Sequence, residues 1–349
     1  MNSGRSKVGP VRKIAAIVIA AAFVVSLAAC SDLPAQVQGC TPNSAAGSAS
    51  KSISAAGDFG LNPKTHVPTP TVTKKVQTSI IKKGTGMKLG DGDVALVQWT
   101  LYFGSNGQIV SSSPTGQNAT SVSTDYSKTT VSEVSVGQKA NPYGHYISCQ
   151  QVGTRSTTVL TASQYLGGAA QAKAAGVDPG LALVMVEDIT KGFRGRATGV
   201  LQAPQAGFPS VVTAPDGTPG ITLDLQSPPK TLQWEVVRRG SGEKIKAGQQ
   251  VLLQVEGVEW TNPAPTTTFD STWTKDAPRA YPLTALQSDD GTNSLDPGSV
   301  KALVGQTVGS QVLVVVPSKF GYPSGKAPSG YPTGSTLIYV YDVLGVLAK

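Results

Sequence analysis

The chain contains 349 residues, of which 29 are Lys or Arg and 21 are Asp or Glu. Without the four basic residues near its start, Arg5, Lys7, Arg12 and Lys13, the formal net charge falls from +8 to +4. The charge balance therefore gives no indication of nucleic-acid binding. The 39 Gly and 24 Pro residues, together with few aromatic residues, favour short strands and turns over long helices.

The four basic residues precede an apolar run over residues 14–29, in which Ser26 is the only polar residue. A transmembrane helix needs about 20 apolar residues, whereas the core of a signal peptide needs roughly 7–15 followed by small residues. The sequence Leu27-Ala28-Ala29-Cys30 resembles the lipobox of bacterial lipoproteins, in which the Cys becomes lipid-modified. We therefore expect residues 1–29 to be a lipoprotein signal peptide and Cys30 to anchor the protein to the extracytoplasmic face of the cell membrane. The alternatives are an ordinary secretory signal and an uncleaved anchor.

Residues 41–57 are rich in Ser, Ala and Gly and contain no aromatic residue, so they offer little apolar surface for a core. We expect residues 30–59 to form a disordered tether between the lipid and the folded part. Cys40 lies in this tether and Cys149 in the body of the chain. In an oxidising compartment these two residues could pair, but two unpaired thiols fit the sequence equally well.

An internal repeat divides the rest of the chain. The segment Ile80-Ile81-Lys82-Lys83-Gly84-Thr85-Gly86 matches Val236-Val237-Arg238-Arg239-Gly240-Ser241-Gly242 in character, 156 positions later. Further matches at this spacing predict a duplicated domain rather than a solenoid, whose period would be about 20–50 residues. We expect a first domain over residues 60–192 and a second over 208–349, with a hinge at 193–207.

Within each copy the apolar pattern is typical of strands. Short β-branched runs bounded by Gly and Pro occupy residues 251–258, 311–316 and 336–343. One segment, residues 297–304, predicts a helix with Asp296 as N-cap and Pro297 in its first position. Antiparallel strands with one short helix predict an α+β fold in each copy.

Several kinds of site are disfavoured by the residue inventory. The chain has two His residues, His66 and His145, so a His-based triad or a site with several His ligands is hard to build. The turns at Gly84 and Gly240 lack the full glycine spacing and the following helix of a phosphate loop, and we interpret them as turn glycines.

The second copy resembles the FKBP-type peptidyl-prolyl cis-trans isomerases. The resemblance covers about 120 residues, in an order of strands and motifs that includes Thr268-Phe269-Asp270-Ser271-Thr272, then Pro278–Leu283, then the predicted helix, then Pro317–Tyr322. It implies a twisted antiparallel half-barrel wrapped around one short helix, with an apolar pocket between the two. It also implies catalysis of prolyl bond rotation, which requires no nucleophile, metal or cofactor.

The resemblance also assigns a candidate site. Phe269 occupies the position of a Phe in the pocket wall of the family, and Asp270 that of a buried Asp. Tyr322 matches a Tyr that bonds the ligand carbonyl, and Tyr339 matches an aromatic residue of the last strand. These four residues are the catalytic candidates. Three further positions that contact substrate in the family are occupied here by Leu295, Asp296 and Val255.

The sequence departs from the family pattern at several of these positions. Val255 stands in place of a Tyr in the pocket wall, and Arg279 in place of an aromatic residue. Asp296 replaces an apolar residue, and Ser299 replaces the Trp that forms the pocket floor. The loss of that indole removes much of the surface on which a proline ring would rest.

The first copy departs further from the family. Trp99 falls at the wall-Tyr position and Tyr143 near the floor, but Val110 and Ser111 replace the Phe-Asp pair, and the ligand-binding Tyr is missing. We expect this copy to be catalytically weak or silent.

The sequence is compatible with three functions. The first is a monomeric isomerase that acts on proline-containing exported polypeptides at the cell envelope. The second is a non-catalytic peptide-binding or chaperone lipoprotein that keeps the fold. The third is a cell-wall scaffold.

Overall fold

Two antiparallel sheets dominate the computed structural model, which describes residues 40–112, 132–139, 141–223, 227–261, 267–275, 278–284, 294–323 and 325–348. The predicted signal peptide and the predicted lipidation site, Cys30, lie outside the described residues. So do residues 30–39 of the predicted tether.

The N-terminal half contains one short segment and the first sheet. The segment consists of α1 (Ser48–Lys51), β1 (Ser54–Ala56) and β2 (Lys64–His66). The sheet has the order β3-β7-β8-β4-β5, with β6 also paired to β4. Its strands are β3 (Gln77–Lys82), β4 (Val94–Phe103), β5 (Ile109–Ser112), β6 (Ser132–Ser135), β7 (Arg155–Thr161) and β8 (Ala182–Phe193). The helices of this half are α2 (Pro142–His145), α3 (Ala162–Tyr165) and α4 (Ala169–Ala174).

In its described residues, the C-terminal half contains the second sheet, a small hairpin and one α-helix. The sheet has the order β14-β13-β17-β16-β12-β9, with β15 also paired to β13. The strands are β9 (Val200–Leu201), β10 (Ser210–Thr213), β11 (Pro219–Thr222), β12 (Gln233–Arg239), β13 (Gln250–Glu259), β14 (Thr267–Ser271), β15 (Arg279–Pro282), β16 (Gln311–Val316) and β17 (Leu337–Ala348). The α-helix is α5 (Pro297–Leu303), and two 3₁₀ turns cover Trp273–Lys275 and Ser318–Phe320.

The two sheets repeat one topology. The strands β3, β4 and β7 begin 156 residues before β12, β13 and β16, and each set has the same antiparallel partners. The irregularity in β3 between Ile80 and Lys82 recurs in β12 between Val236 and Arg238. The spacing found in the sequence therefore corresponds to a repeated three-dimensional arrangement.

Close backbone approach explains the repeated glycines after β3 and β12. A Cβ atom on Gly84 would lie 2.3 Å from the carbonyl oxygen of Val152, and one on Gly240 would lie 2.2 Å from that of Val308. Each glycine also donates its N–H to a hydroxyl, Thr154 in the first half and Ser310 in the second. The interpretation as turn glycines rather than a phosphate loop agrees with this packing.

The predicted elements and the α+β class are confirmed. The strand predicted over residues 311–316 is β16, and the helix predicted at 297–304 is α5, with Asp296 accepting the N–H of Ser299 as its N-cap. The first domain differs from the prediction, since its described residues form three short helices, α2, α3 and α4, rather than one. Two of them, α3 and α4, occupy the connection after β7, where Ala-rich sequence stands in place of the Pro- and Gly-rich loop of the second half.

A small apolar cluster joins the two halves. Its buried residues come from β4, β8, β13 and β17, and they are Val94, Leu96, Phe193, Leu252 and Leu344. Residues 193–207, predicted as a hinge, are held along the second sheet. The Ala197 N–H donates to Asp342 (2.7 Å), and the Gln202 N–H donates to the carbonyl of Val237 (2.9 Å). This segment is therefore bound over much of its length, which the sequence did not indicate.

The disordered tether predicted over residues 30–59 is corrected from Cys40 onward, where the chain is folded. Cys40 forms a disulfide with Cys149, with a Cα–Cα distance of 5.6 Å. The Thr78 N–H donates to the carbonyl of Ala45 (3.0 Å), and Ile53 is buried against the outer face of the first sheet. The segment has too little apolar surface for a core of its own, but it shares the core of the neighbouring domain. Among the described residues, no helix is long and apolar enough to cross a membrane.

Candidate functional site

Strand alternation brings the predicted aromatic residues to one face of the second sheet. On β17 the side chains of Leu337, Tyr339, Tyr341 and Val343 point into the main core, while Ile338 and Val340 point to the opposite face. Val255 and Leu295 belong to that same main core, and each is 2% exposed. These two predicted substrate contacts therefore lie beneath the site, not at its surface.

Three of the predicted catalytic residues, together with a fourth aromatic residue, form an aromatic cluster. The ring of Phe269, from β14, lies 5.6 Å from that of Tyr339 in an edge-on arrangement. Tyr331 lies 4.9 Å from Phe269 and 5.7 Å from Tyr322. We call these four residues the aromatic cluster. Aromatic pairs in such tilted and edge-on arrangements stabilise a fixed geometry.

Sequence reasoning missed Tyr331, which links the cluster to the predicted Asp. Its hydroxyl donates a hydrogen bond to Asp270. Burial, followed by the neighbouring Asp270 carboxylate, raises the pKa of Tyr331, so this residue is a hydrogen-bond donor at neutral pH. The signal available in the sequence was a single aromatic residue in the Pro- and Gly-rich loop after Tyr322.

Asp270 is also paired with Arg279, which the sequence comparison identified only as a departure from the family pattern. The guanidinium of Arg279, on β15, contacts the other carboxylate oxygen of Asp270. The side chain of Asp270 is 10% exposed and that of Arg279 is 30% exposed. A buried carboxylate is costly unless it is paired and hydrogen-bonded, and here both requirements are met.

The floor of the site is built differently from the family pattern. Ser299, in place of the Trp, is fully buried on α5. The Tyr341 hydroxyl donates to its Oγ across 2.9 Å, and this Oγ donates to Asp296 across 2.7 Å. A tyrosine from the sheet therefore fills the space above the serine. Asp296, a predicted substrate contact, is fully buried with its side chain committed to the helix N-terminus, and burial raises its pKa to about 6.

The hydroxyl of Tyr322 is engaged within the protein. It donates to the carbonyl oxygen of Ser294 across 2.7 Å, immediately before Leu295. Burial, followed by the negative charge of Asp296, raises the pKa of Tyr322. The residue therefore remains protonated and can donate a hydrogen bond to a carbonyl, either this one or that of a ligand.

The corresponding position in the first half has a different composition. Trp99 stacks on Tyr143 with ring centroids 4.4 Å apart, and the hydroxyls of Tyr143 and Tyr165 share a hydrogen bond. Glu187 is fully buried beside Trp99 on the neighbouring strand, and within the described part of the chain its carboxylate oxygens have no hydrogen-bond partner. Burial raises its pKa well above the usual value. By strand register Glu187, opposite Trp99, occupies the place of Tyr341, opposite Val255, so the tyrosine packed here comes from helix α2 in the first half and from the last strand in the second.

Neither His residue joins the aromatic cluster. His145 contacts Asn43 and the carbonyl of Gly137, and His66 lies on β2 in the N-terminal segment. In the ranges that the structure describes, no group of three or more His, Cys, Asp or Glu side chains could hold a metal ion.

Comparison with known proteins relates the second half to a family. Residues 241–344 match the sequence model of the FKBP-type peptidyl-prolyl cis-trans isomerases. Peptidyl-prolyl cis-trans isomerase FKBP15-1 of Arabidopsis thaliana is 32% identical over 80 residues, which are 23% of this chain and 48% of that protein. The chain therefore spans about half the length of this relative.

Two solved structures show lower sequence identity to this chain. FkpA from Escherichia coli is 24% identical, with 39% of this chain and 51% of that chain covered and a TM-score of 0.27. The three FKBP domains of wheat FKBP73 are 17% identical, with 78% of this chain and 95% of that chain covered and a TM-score of 0.30.

Proposed function

We propose, on the premise that residues 241–344 form an FKBP-type domain, that this protein is a peptidyl-prolyl cis-trans isomerase with its active site at the aromatic cluster. The observation that carries the proposal is the convergence of Phe269, Tyr322 and Tyr339 next to the paired carboxylate of Asp270. The first half, with Val110 and Ser111 in place of the Phe-Asp pair, is proposed to be silent.

Catalysis of rotation about an X–Pro bond requires few groups beyond this arrangement. Rotation about an X–Pro bond faces a resonance barrier of roughly 18–20 kcal/mol, while the cis and trans forms differ by only about 0.5–1 kcal/mol. A site that binds the twisted amide more tightly than either planar form lowers the barrier. In our proposal the ring of Phe269 contacts the proline ring, and Tyr339, which is 1% exposed, supports Phe269 from beneath. The Tyr322 hydroxyl moves from Ser294 to the substrate carbonyl.

Arg279 and Tyr331 hold the carboxylate of Asp270 at the edge of this site. Since both charges of the Asp270–Arg279 pair are fixed before substrate arrives, the field that they create requires no reorganisation during rotation. The hydroxyl of Tyr331 lies between the rings and Asp270 and is the natural group to move when a proline ring enters.

We also propose that the protein acts on exported polypeptides at the cell envelope, anchored through Cys30. The basic and apolar N-terminal residues followed by Cys30 support this location. The disulfide between Cys40 and Cys149 gives independent support, since disulfides persist in oxidising compartments outside the cytosol. Proline isomerisation takes tens of seconds without a catalyst and limits folding there.

An isomerisation assay tests the proposal. The full chain is mixed with a short peptide that contains one X–Pro bond, and the rate of cis-to-trans conversion is followed. We expect catalysis above background, reduced in Asp270→Ala and Tyr322→Phe. Conversion at the background rate with the folded parent protein would contradict the proposal.

A second candidate, a non-catalytic binding or chaperone module, has one observation in its favour. Asp270 is already occupied by Tyr331 and Arg279, and Ser299 with Tyr341 replaces the floor of the family site. This candidate predicts suppression of client aggregation without any acceleration of prolyl rotation. The same preparations therefore distinguish the two functions.

A further inference from the structure

The two sheets differ at one edge. In the second sheet β9 pairs antiparallel with the end of β12, with Leu201 opposite Arg238 and Val200 opposite Arg239. In the first sheet β3 is an edge strand, and no strand of the described residues pairs with it on the side away from β7. By the spacing of the repeat, Lys82 and Lys83 correspond to Arg238 and Arg239. Within the described ranges, one version of this edge is therefore paired with a further strand and the other is not.

Among the described residues, the N-terminal segment occupies the beginning of this edge, and at its end the Lys82 ammonium lies 5.1 Å from the ring centre of Phe59. The Thr78 N–H donates to the carbonyl of Ala45, and the Gln77 side chain accepts the N–H of Ala49 at the start of α1. Since Thr78 directs its N–H away from β7, Ile80 does so too, two residues later along the strand. The exposed part of the edge is thus the segment from Ile80 to Lys83, and the Ile80 side chain is 54% exposed.

A cavity of about 470 Å³ adjoins this open edge. Ile80 forms part of its wall, together with small side chains from the N-terminal segment such as Ala45 and Ala46, and with Tyr146 and Cys149. Clefts that bind small molecules are typically of this size. A strand that pairs with the edge of β3 would place alternate side chains beside or inside the cavity.

The charges around the edge favour one class of occupant. Lys51 is the charged residue that lines the cavity, and Lys82 and Lys83 lie exposed at the end of the edge. Lysines on an edge strand disfavour pairing with a second copy of the same edge, because antiparallel pairing would bring the lysines of both copies close together. Acidic side chains on an incoming strand would instead neutralise them.

We propose that the edge from Ile80 to Lys83 binds an extended, acidic polypeptide segment, which pairs antiparallel with β3 as β9 pairs with β12. This surface lies in the half without the proposed active site, and its use requires no proline. This surface would give the first half a role in holding unfolded clients. The proposal can be tested independently of the isomerase activity.

A binding experiment with the full chain tests this proposal. The probe is a fluorescent peptide of roughly eight residues in which Val and Glu alternate and which contains no proline. Binding is measured by fluorescence anisotropy, and hydrogen–deuterium exchange reports on the amides of residues 77–84. We expect saturable binding with slower exchange in that segment. A peptide with alternate amides N-methylated should not bind, because methylation removes the donors that strand pairing needs.

Two variants locate the binding. Ile80→Pro removes the edge N–H at a position where an edge strand tolerates Pro, and should weaken binding about tenfold or more. Lys82→Glu with Lys83→Glu should weaken binding of the Glu peptide and favour a Lys peptide. The matched control, Lys74→Glu with Lys75→Glu, makes the same change in charge at exposed residues before β3 and should leave the affinity within about twofold of the parent value.

Several outcomes would overturn the proposal. These are equal binding of the N-methylated peptide, unchanged affinity in both edge variants, and unchanged exchange in residues 77–84. A concentration-dependent dimer that Ile80→Pro abolishes, without any peptide binding, would assign the edge to a second copy of the chain and would equally overturn it.

Discussion

The hydroxyl of Tyr341 donates a hydrogen bond to the Oγ of Ser299 across 2.9 Å, between the last strand and the helix of the second half. Both residues are at most 1% exposed, and Ser299 in turn donates to Asp296. The resemblance to the family places a Trp side chain from the helix in this space. Here the sheet supplies the bulky side chain, Tyr341, and the helix supplies the small one, Ser299. The core therefore remains filled, although a serine and a tyrosine take the place of the Trp.

This relationship predicts that Ser299→Ala destabilises the protein. The substitution leaves the Tyr341 hydroxyl without its acceptor and removes one donor from Asp296, and a buried polar group left unsatisfied costs about 1–3 kcal/mol. Urea unfolding measures the change. Ser329→Ala, at an exposed residue, is the matched control and should change the free energy of unfolding by less than about 0.5 kcal/mol. Equal effects of the two substitutions would contradict the assigned network.

Two tyrosines on β17 should respond in opposite ways to loss of their hydroxyls. The Tyr339 hydroxyl is buried without a hydrogen-bond partner among the described residues, whereas that of Tyr341 is bonded to Ser299. We expect Tyr339→Phe to stabilise the fold by about 1 kcal/mol and Tyr341→Phe to destabilise it by about the same amount. The comparison uses thermal or urea unfolding, and destabilisation by Tyr339→Phe would show that its hydroxyl has a partner.

The stability of the protein should depend on pH through two buried carboxyls. Burial raises the pKa of Asp296 and of Asp342 from 3.8 to about 6. Because these values exceed those of the unfolded chain, the stabilising contribution is complete below about pH 4 and is lost as the pH rises through about 6. Glu187, whose pKa burial also raises, acts in the same direction.

Substitution of these carboxyls tests that assignment. Asp296→Asn keeps an effective N-cap on α5, and we expect it to reduce the loss of unfolding free energy between pH 5 and pH 7. Asp342→Asn should reduce it further when the two are combined. Urea unfolding at the two pH values gives the measurement, and an unchanged difference in the double variant would refute the assignment.

The disulfide between Cys40 and Cys149 should contribute strongly to stability, because it closes a loop with a sequence separation of 109. Constraint of the unfolded chain by loops of this length is worth roughly 4–5 kcal/mol, and strain reduces the measured value. We expect a reductant to lower the urea midpoint of the parent protein and to leave the Cys40→Ser, Cys149→Ser variant unchanged. Alkylation of both cysteines in the folded, unreduced protein would show that the bond is absent.

Much of the second half could be predicted from its sequence. Strands such as residues 311–316 are β-branched runs between turn residues, and the Asp296-Pro297 pair marks the start of α5. These signals are local, so a single sequence contains them. The repeat also predicts which strands pair in the first half, because strands that are related by the repeat spacing occupy corresponding positions in the two sheets.

The remaining features depend on contacts between distant residues. The contact of Tyr331 with Asp270 spans 61 residues, and the Cys40–Cys149 bond spans 109. The composition of residues 41–57 predicts disorder, and it is their docking onto β3 and Arg155 that orders them from Cys40 onward. The sequence identifies Arg279 as a departure from the family pattern. Its ion pair with Asp270 becomes visible only in the structure, where β15 places the two side chains together.

The central proposal is that prolyl rotation is catalysed by the aromatic cluster of the second half. Exchange NMR on a peptide with one X–Pro bond, with the full chain at catalytic concentration, measures this rotation directly. Phe269→Ala should lower kcat/KM about tenfold or more, while Val110→Ala, at the corresponding place in the first half, should leave it unchanged. Equal rates in the parent and Phe269→Ala proteins, with both folded, would contradict the assignment of the active site.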